Sequence, residues 1–280
     1  MEKKIALLAV ALIVVFVSNS VVLALVPMGP PKALLGQDRW DIGIEYANTT
    51  MDLEATGDVT EIWAIPGGPF FEKVKHNIND LKSNIVLARA GYGINDDWDA
   101  FVRVGVVDAK DEIEQTYDDG DPSVTYKGFD GSFGLAWGFG TRATFWQDEE
   151  VSWGGLFQVT WLEPGDSSID LAGDPAFSGD AEIDIWEVQI AIGPTLRLDD
   201  NFRVYGGPFL HFVNGDLDIS GETDIGFRVF TEAEGDIEEK SQFGGYVGAH
   251  LDVDENTSCC IELQFTGDAW AIGLGAARRF

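Results

Sequence analysis

The last thirteen residues of the chain, 268–280, read DAWAIGLGAARRF, and they decide the fold class. Read with a period of two, one face carries Trp270, Ile272, Leu274, Ala276 and Phe280, and the other carries Ala271, Gly273, Gly275 and Ala277. Strict alternation of this kind predicts a β-strand. A soluble sheet usually turns its second face to water with polar side chains, and this strand has only very small side chains there.

The N-terminus predicts an export signal. A charged MEKK start precedes an apolar run over residues 5–17, then Ser18-Asn19-Ser20 and a short apolar stretch that ends at Ala24. These are the three regions of a secretory signal peptide, and we expect cleavage after Ala24, with Ser20 as the second choice. A retained membrane anchor is the alternative, because residues 5–26 are nearly long enough to span a bilayer.

Composition limits the partners. Removal of residues 1–24 leaves 16 basic and 47 acidic residues, a net charge of −31. Nucleic acid and anionic lipid are excluded as electrostatic partners. The two cysteines, Cys259 and Cys260, are adjacent, so on a strand they point to opposite faces and neither pair readily nor form a metal site. No linker divides the chain, so we predict a lead-in over residues 25–38 and one domain over residues 39–280.

Ten strands can be recognised by alternation. They cover residues 40–47, 84–94, 98–107, 131–145, 151–161, 186–198, 202–212, 243–253, 261–266 and 268–280. Long and short connections alternate, apart from a brief last one, which places long loops at one end of a sheet and tight turns at the other. Residues 108–124, 163–180 and 214–239 are predicted as long acidic loops. The segment between the first two strands is predicted either as a short helix in a loop or as an extended hairpin arm, with a break at Pro66-Gly67-Gly68-Pro69.

Alternating loop length, an even strand number and aromatic residues near strand ends are typical of transmembrane barrels. An apolar final strand ending in Phe resembles the C-terminal signal that the assembly machinery of bacterial outer-membrane β-barrels reads, here Trp270, Ile272, Leu274 and Phe280, although Arg278 departs from it. The whole mature chain resembles the small outer-membrane barrels of the outer-membrane-protein-A and opacity-protein type. The resemblance implies an all-β, antiparallel, up-and-down barrel in the outer membrane of a Gram-negative-type bacterium. That type usually has eight strands, so eight remains the alternative to ten.

The alternation of side chains between the two faces of each strand also predicts a charged network inside the barrel. Its members are Asp41, Glu45, Arg89, Arg103, Arg142, Glu187, Arg197, Arg203, His250, Asp252 and Glu262. Arginine in a narrow interior needs carboxylate partners, because an unpaired buried charge is very costly. A ten-stranded barrel is only slightly wider than one that side chains fill. We therefore expect a lumen plugged by Arg–carboxylate pairs, and the alternative is a narrow gated channel.

Catalytic and metal motifs are weak. His211 precedes Asp216 near the end of a strand, and ten-stranded omptin proteases work at that level with a His and acidic residues, but no further omptin motif follows. Residues 216–227 imitate the start of a calcium loop, yet the twelfth position is Phe227, where a bidentate Glu is needed. We therefore predict no enzyme, no cofactor and no metal site of defined geometry. The expected partners are outer-membrane lipid, lipopolysaccharide through divalent cations at the acidic loops, and the barrel assembly machinery, with the protein as a monomer.

Overall fold

A computed structural model describes residues 25–63, 69–117, 124–165, 167–224, 227–239 and 241–280. The predicted signal peptide and residues 66–68 of the proline–glycine break lie outside these ranges. The strands are β1 Trp40–Trp63, β2 Phe70–Asn95, β3 Trp98–Tyr117, β4 Val124–Gln147, β5 Val151–Glu163, β6 Ser167–Leu171, β7 Asp174–Arg197, β8 Phe202–Asp224, β9 Arg228–Glu239, β10 Phe243–Asp252, β11 Thr257–Phe265 and β12 Ala269–Arg279. None of the described residues forms a helix long and apolar enough to cross a membrane.

The sheet closes on itself as an antiparallel barrel. Ten strands pair in the order β1, β2, β3, β4, β5, β7, β8, β10, β11 and β12, and β12 pairs back onto β1. The closing pair begins at the chain terminus, where the Phe280 amide donates to the Trp40 carbonyl at 2.8 Å. The predicted all-β antiparallel barrel is confirmed, and the C-terminal strand is the one that completes the ring.

One end of the barrel, here called the turn end, carries the short turns. Each turn begins with an Asn or Asp whose side chain accepts backbone amides two or three residues later: Asn95, Asp148, Asp199 and Asp254. Such side-chain bonds favour tight turns over continued strand. The Val151 and Glu150 amides stabilise the ionised form of Asp148 and hold the pKa of that carboxyl below its usual value.

Away from the turn end, the ring loses two strands. The last pair of β1 with β12 joins Met51 to Ala269, and two residues later Leu53 pairs with Glu239 of β9. Beyond this point β9 lies between β8 and β1, and β6 lies between β4 and β7. We call this part of the barrel the extension; it is an eight-stranded ring on top of the ten-stranded one.

The polarity of the wall reverses at the same level. In the ten-stranded ring the inward face of β1 carries Asp41 and Glu45, and the outward face carries exposed Ile42 and Ile44. In the extension, most inward side chains are apolar and fully buried, as at Leu53, Ile78, Ile113, Ile183 and Leu217. β1 keeps its odd-numbered residues inward through both parts, and only the type of side chain changes, from Asp41 and Glu45 to Leu53 and Val59.

The extension corrects the predicted loops. Residues 108–124 and 214–239 are mainly strand in their described parts, belonging to β3, β8 and β9, and residues 163–180 contain β6 and the start of β7. Of the two interpretations of the first connection, the hairpin arm is right, because β1 and β2 pair from Trp40↔Tyr92 out to Glu61↔Phe70. In these segments acidic residues alternate with apolar ones. The acidic residues led to the prediction of loops, although the alternation itself is that of a strand.

Candidate functional site

The lumen of the ten-stranded ring contains the segment before β1. We call residues 25–39 the strap. Its deepest residue, Leu25, is fully buried, and its amide donates to Thr49 Oγ1 at 2.9 Å. Its other end reaches the turn end, where the Gln37 amide donates to Asp96 Oδ1 at 3.1 Å. The predicted irregular lead-in therefore lies within the barrel, along its inner wall.

Small residues make room for the strap. A Cβ on Gly273 would lie 2.9 Å from Pro27 Cγ, and one on Gly154 would lie 2.1 Å from the Pro31 carbonyl oxygen. The very small face of the final strand, noted in the sequence, is thus the face against which the strap packs. Gly29 adopts φ +72°, and a Cβ there would also lie 3.1 Å from Arg142 Nη2. Glycine is the residue that this backbone conformation favours.

Three of the predicted arginines surround one ring. The guanidinium carbons of Arg89, Arg103 and Arg142 lie 4.9, 5.2 and 4.8 Å from the ring centroid of Phe101. Phe101 faces inward and is buried. A ring face attracts desolvated cations by about 2 kcal/mol or more, which gives these arginines a second partner besides carboxylates. Sequence reasoning missed Phe101, although it shares the parity of Arg103.

Two of these arginines also bind carboxylates. Arg89 Nη1 lies 3.2 Å from Asp41 Oδ2, and its Nε lies 3.8 Å from Glu45 Oε1. Arg103 Nη1 lies 3.2 Å from Glu45 Oε2 and donates to the Pro27 carbonyl at 3.2 Å. A buried ion pair of this kind is satisfied only with added hydrogen bonds, and here the strap supplies one of them.

Arg142 and Glu262 bind the strap itself. Arg142 Nη2 donates to the Met28 carbonyl at 2.8 Å, where a carboxylate partner was expected. Glu262 accepts the amides of Met28 and Gly29, each at 2.9 Å. These contacts use backbone groups, so neither can be found from side-chain parity alone.

His211 joins two carboxylates near the level where the ring narrows. Its Nε2 lies 3.0 Å from Glu187 Oε2 and its Nδ1 lies 2.9 Å from Glu239 Oε1. All three side chains are at most 1% exposed. His211 points inward and Asp216 is exposed on the outer face, so the two residues noted together in the sequence lie on opposite sides of the wall. We call Glu187, His211 and Glu239 the lumen triad.

The remaining predicted members lie near the turn end. Asp252 binds Arg203 Nη1 at 2.6 Å and Arg279 Nη2 at 2.9 Å, with His250 Nε2 at 3.4 Å. Arg279 was not among the predicted members. Arg197 is exposed beside the turn that begins at Asp199, and it lines a cavity at the turn end together with Lys32 and Arg203.

The outer face of the extension is acidic in rows. Glu182, Asp218, Glu234 and Asp58 occupy directly paired positions on β7, β8, β9 and β1, and all four are exposed. A second row joins Asp184, Asp216 and Asp236. Directly opposed like charges destabilise a sheet. No group of three or more His, Cys, Asp or Glu residues with metal-binding geometry occurs among the described residues.

The comparisons with known proteins concern architecture. No protein-family model and no curated protein matches the sequence. Solved structures similar to the chain include the outer membrane protein OprG from Pseudomonas aeruginosa, with 11% identity, 88% of this chain and 97% of that one covered, and a TM-score of 0.43. The outer membrane protease OmpT from Escherichia coli has 9% identity, with 91% and 98% covered and a TM-score of 0.44. Ail, the attachment invasion locus protein of Yersinia pestis, has 13% identity, with 87% and 99% covered and a TM-score of 0.30.

Proposed function

We propose that the protein is an integral outer-membrane barrel that is closed to solutes and presents the extension at the cell surface, in a structural or surface-interaction role. The observation that carries the proposal is the reversal of wall polarity between the ten-stranded ring and the extension. A wall that is apolar outside and polar inside fits a bilayer. A wall that is acidic outside and apolar inside fits water.

The outward face of the ten-stranded ring supports the membrane placement. It exposes large apolar side chains on successive strands, among them Ile42, Val104, Phe139, Ile190, Val247 and Leu263. Trp40, Trp98 and Trp153 are exposed near the turn end, as an aromatic girdle requires. A contiguous apolar surface of this extent on a soluble monomer would be an aggregation site.

Two barriers in series support closure. The strap and its Arg–carboxylate network occupy the ten-stranded ring. A cavity of about 170 Å³ beside Lys32 and Arg203 lies at the turn end, whereas the cavity beside Arg89, Arg142 and His250 is about 40 Å³. A space of that size holds water molecules but not a solute. The apolar core of the extension, which includes Leu53, Ile78 and Leu217, is the second barrier.

The acidic rows support a surface role. Divalent cations bound loosely along Glu182, Asp218 and Glu234 would relieve repulsion between them and bridge the extension to phosphates of lipopolysaccharide. The expected partners are therefore outer-membrane lipid and lipopolysaccharide, with the barrel assembly machinery during insertion. This role needs no catalysis, cofactor or nucleic acid, and the barrel acts as a monomer.

Single-channel recording in planar bilayers tests closure. The purified, heat-modifiable barrel should give no steady conductance steps, and a variant lacking residues 25–37 should also give none, because the apolar core of the extension still closes the path. Steady, sizeable steps from the intact chain would instead establish the alternative, a small gated porin. Recovery in the soluble periplasmic fraction, without a gel shift on boiling, would overturn the membrane placement.

The absence of catalysis has its own test. The lumen triad is buried and separate from the exposed acidic rows, so a substrate at the surface cannot reach His211 without opening the barrel. We expect no turnover in a screen of protease and lipid substrates. Activity that is lost on His211→Ala would support a surface hydrolase instead.

A further inference from the structure

The lumen triad has an unfilled requirement for a cation. His211 binds one oxygen of each glutamate, and the remaining oxygens, Glu187 Oε1 and Glu239 Oε2, are buried without a hydrogen-bond partner among the described residues. One imidazole carries at most one positive charge against two carboxylates. Arg103 also attracts Glu187, but its hydrogen bonds go to Glu45, the Pro27 carbonyl and Thr160. Because an uncompensated buried carboxylate is very costly, the two free oxygens call for one more positively charged donor.

The strap ends beside the lumen triad. Gln158 Nε2 donates to the Val26 carbonyl at 3.3 Å and also bonds Gln189, which pairs directly with His211 across β7 and β8. Arg103 donates to the Pro27 carbonyl and reaches Thr160 Oγ1 at 3.5 Å. Thr160 pairs directly with Glu187. Residues 26 and 27 thus contact neighbours of both Glu187 and His211.

Leu25 is the next residue toward the extension, where Glu239 lies. Its nitrogen faces Thr49 Oγ1, and on the inward face of β1 the residues after Thr49 are Met51 and Leu53, both buried. The Leu25 nitrogen is therefore buried, and a leader still attached to it would need a path out of the interior from this point. A chain that starts at Leu25 needs no such path, and it places an α-ammonium in the barrel interior on the side of the extension, where Glu239 lies.

We propose that residues 1–24 are removed by hydrolysis of the Ala24–Leu25 bond, and that the resulting α-ammonium of Leu25 is the missing cation of the lumen triad, ion-paired with Glu187 and Glu239. Water adds across the amide, leaving a carboxylate on Ala24 and an ammonium on Leu25, with the peptidase that removes export signals as catalyst. This inference rests on the proposed lumen plug. Removal of residues 1–24 would then stabilise the folded barrel, because an unprocessed chain lacks the charge that completes the lumen triad.

Mass spectrometry of the barrel purified from outer membranes tests the processing step. The intact mass and the N-terminal peptide should both begin at Leu25. A protein that begins at Val21, after cleavage at Ser20, or that retains Met1 overturns the inference.

A labelling experiment then tests the ion pair. In the folded barrel the Leu25 amine should resist an amine-acylating reagent that modifies exposed Lys75, and it should react after denaturation. Equal labelling of both amines in the folded protein overturns the pairing.

A mutant cycle distinguishes this inference from the plug itself. Inserting Gly-Ser-Gly-Ser between Ala24 and Leu25 displaces the ammonium and should lower the urea midpoint of the wild-type barrel. The same insertion in a Glu187→Gln/Glu239→Gln background should have a much smaller effect. Equal effects in both backgrounds overturn the ion pair, whereas failure of the proposed closed barrel would appear separately, as steady conductance of the intact chain.

Discussion

Arg103 and Glu45 form an ion pair of 3.2 Å inside the ten-stranded ring, and the same arginine nitrogen also donates to the strap at the Pro27 carbonyl. One nitrogen therefore connects two strands of the wall to the segment that fills the lumen. Neither the pair nor its strap contact is exposed to water, so breaking it leaves a buried carboxylate behind.

The first prediction concerns this pair. Arg103→Met should lower the free energy of unfolding by about 3–5 kcal/mol, because Glu45 is left with only the more distant Arg89. Adding Glu45→Gln should restore part of the loss. Urea unfolding in detergent micelles measures both variants.

Arg228→Met is the matched control. Its nitrogen lies 3.7 Å from Glu222, but both side chains are largely exposed. Solvent screening limits such a pair to about 1 kcal/mol or less. A double variant no more stable than Arg103→Met alone would contradict the buried pairing.

The second prediction tests the polarity of the extension with adjacent residues. Leu217 is fully buried inside it, and Leu217→Ala should cost about 2–5 kcal/mol. Asp218→Ala, one residue along β8, should be neutral or stabilising, since Asp218 directly opposes Glu182 and Glu234. Limited proteolysis should cut the extension of the first variant faster and leave that of the second intact.

The same two variants, Leu217→Ala and Asp218→Ala, also test whether the extension packs separately from the ten-stranded ring. The heat-dependent gel shift of the ten-stranded ring should survive in both variants, because neither residue belongs to that ring. Equal protease sensitivity of Leu217→Ala and Asp218→Ala would show that residues 214–239 form a solvated loop.

Sequence parity predicted much of the wall. Along β3, Val102 and Val104 are exposed and Arg103 is buried, as alternation requires when lipid lies on one side. The same reasoning placed Trp270 outward and Gly273 inward on β12. These assignments succeed because side chains on a strand alternate whatever the strand contacts.

The missed features have physical reasons. The strap lacks periodicity, and its contacts join residues far apart in the chain, such as Met28 with Glu262, so no local pattern reveals it. The extension does have a period of two, as in Leu217 and Ile219 between acidic residues, but its apolar face is inside. When strands are recognised by an apolar face turned to lipid and small residues on the other face, the acidic strands of the extension are interpreted as loops. The exchange of β12 for β9 beside β1 pairs segments that are far apart in the chain, Met51 with Ala269 and Leu53 with Glu239, so no local pattern reveals it either.

The third prediction concerns repulsion in the acidic rows. Raising NaCl from 0.1 to 1 M shortens the screening length from about 10 Å to about 3 Å. The extension should therefore resist proteolysis better at high salt, and Glu234→Gln should reduce that salt dependence. The control is Glu61→Gln, which lies on β1 outside the two acidic rows. A salt response that is the same in Glu234→Gln and in the wild type would exclude the rows as its source.

The last prediction concerns His76, which is fully buried inside the extension with Nε2 2.9 Å from Gln115 Oε1. Burial lowers the pKa of His76 from its usual value of 6.5 and outweighs the opposing effect of the Gln115 hydrogen bond. The unfolded chain therefore binds a proton that the folded extension excludes. The stability that neutral His76 permits is present above pH 6.5 and is lost as the pH falls below that value, by up to about 1.4 kcal/mol per pH unit. Protease protection should fall accordingly between pH 7 and pH 5 in the wild type relative to His76→Gln, which has no titrating group there. Taking the difference between the two proteins removes the contribution of the acidic rows, which are common to both. Parallel pH profiles for the two proteins would show that His76 is accessible to protons in the folded state.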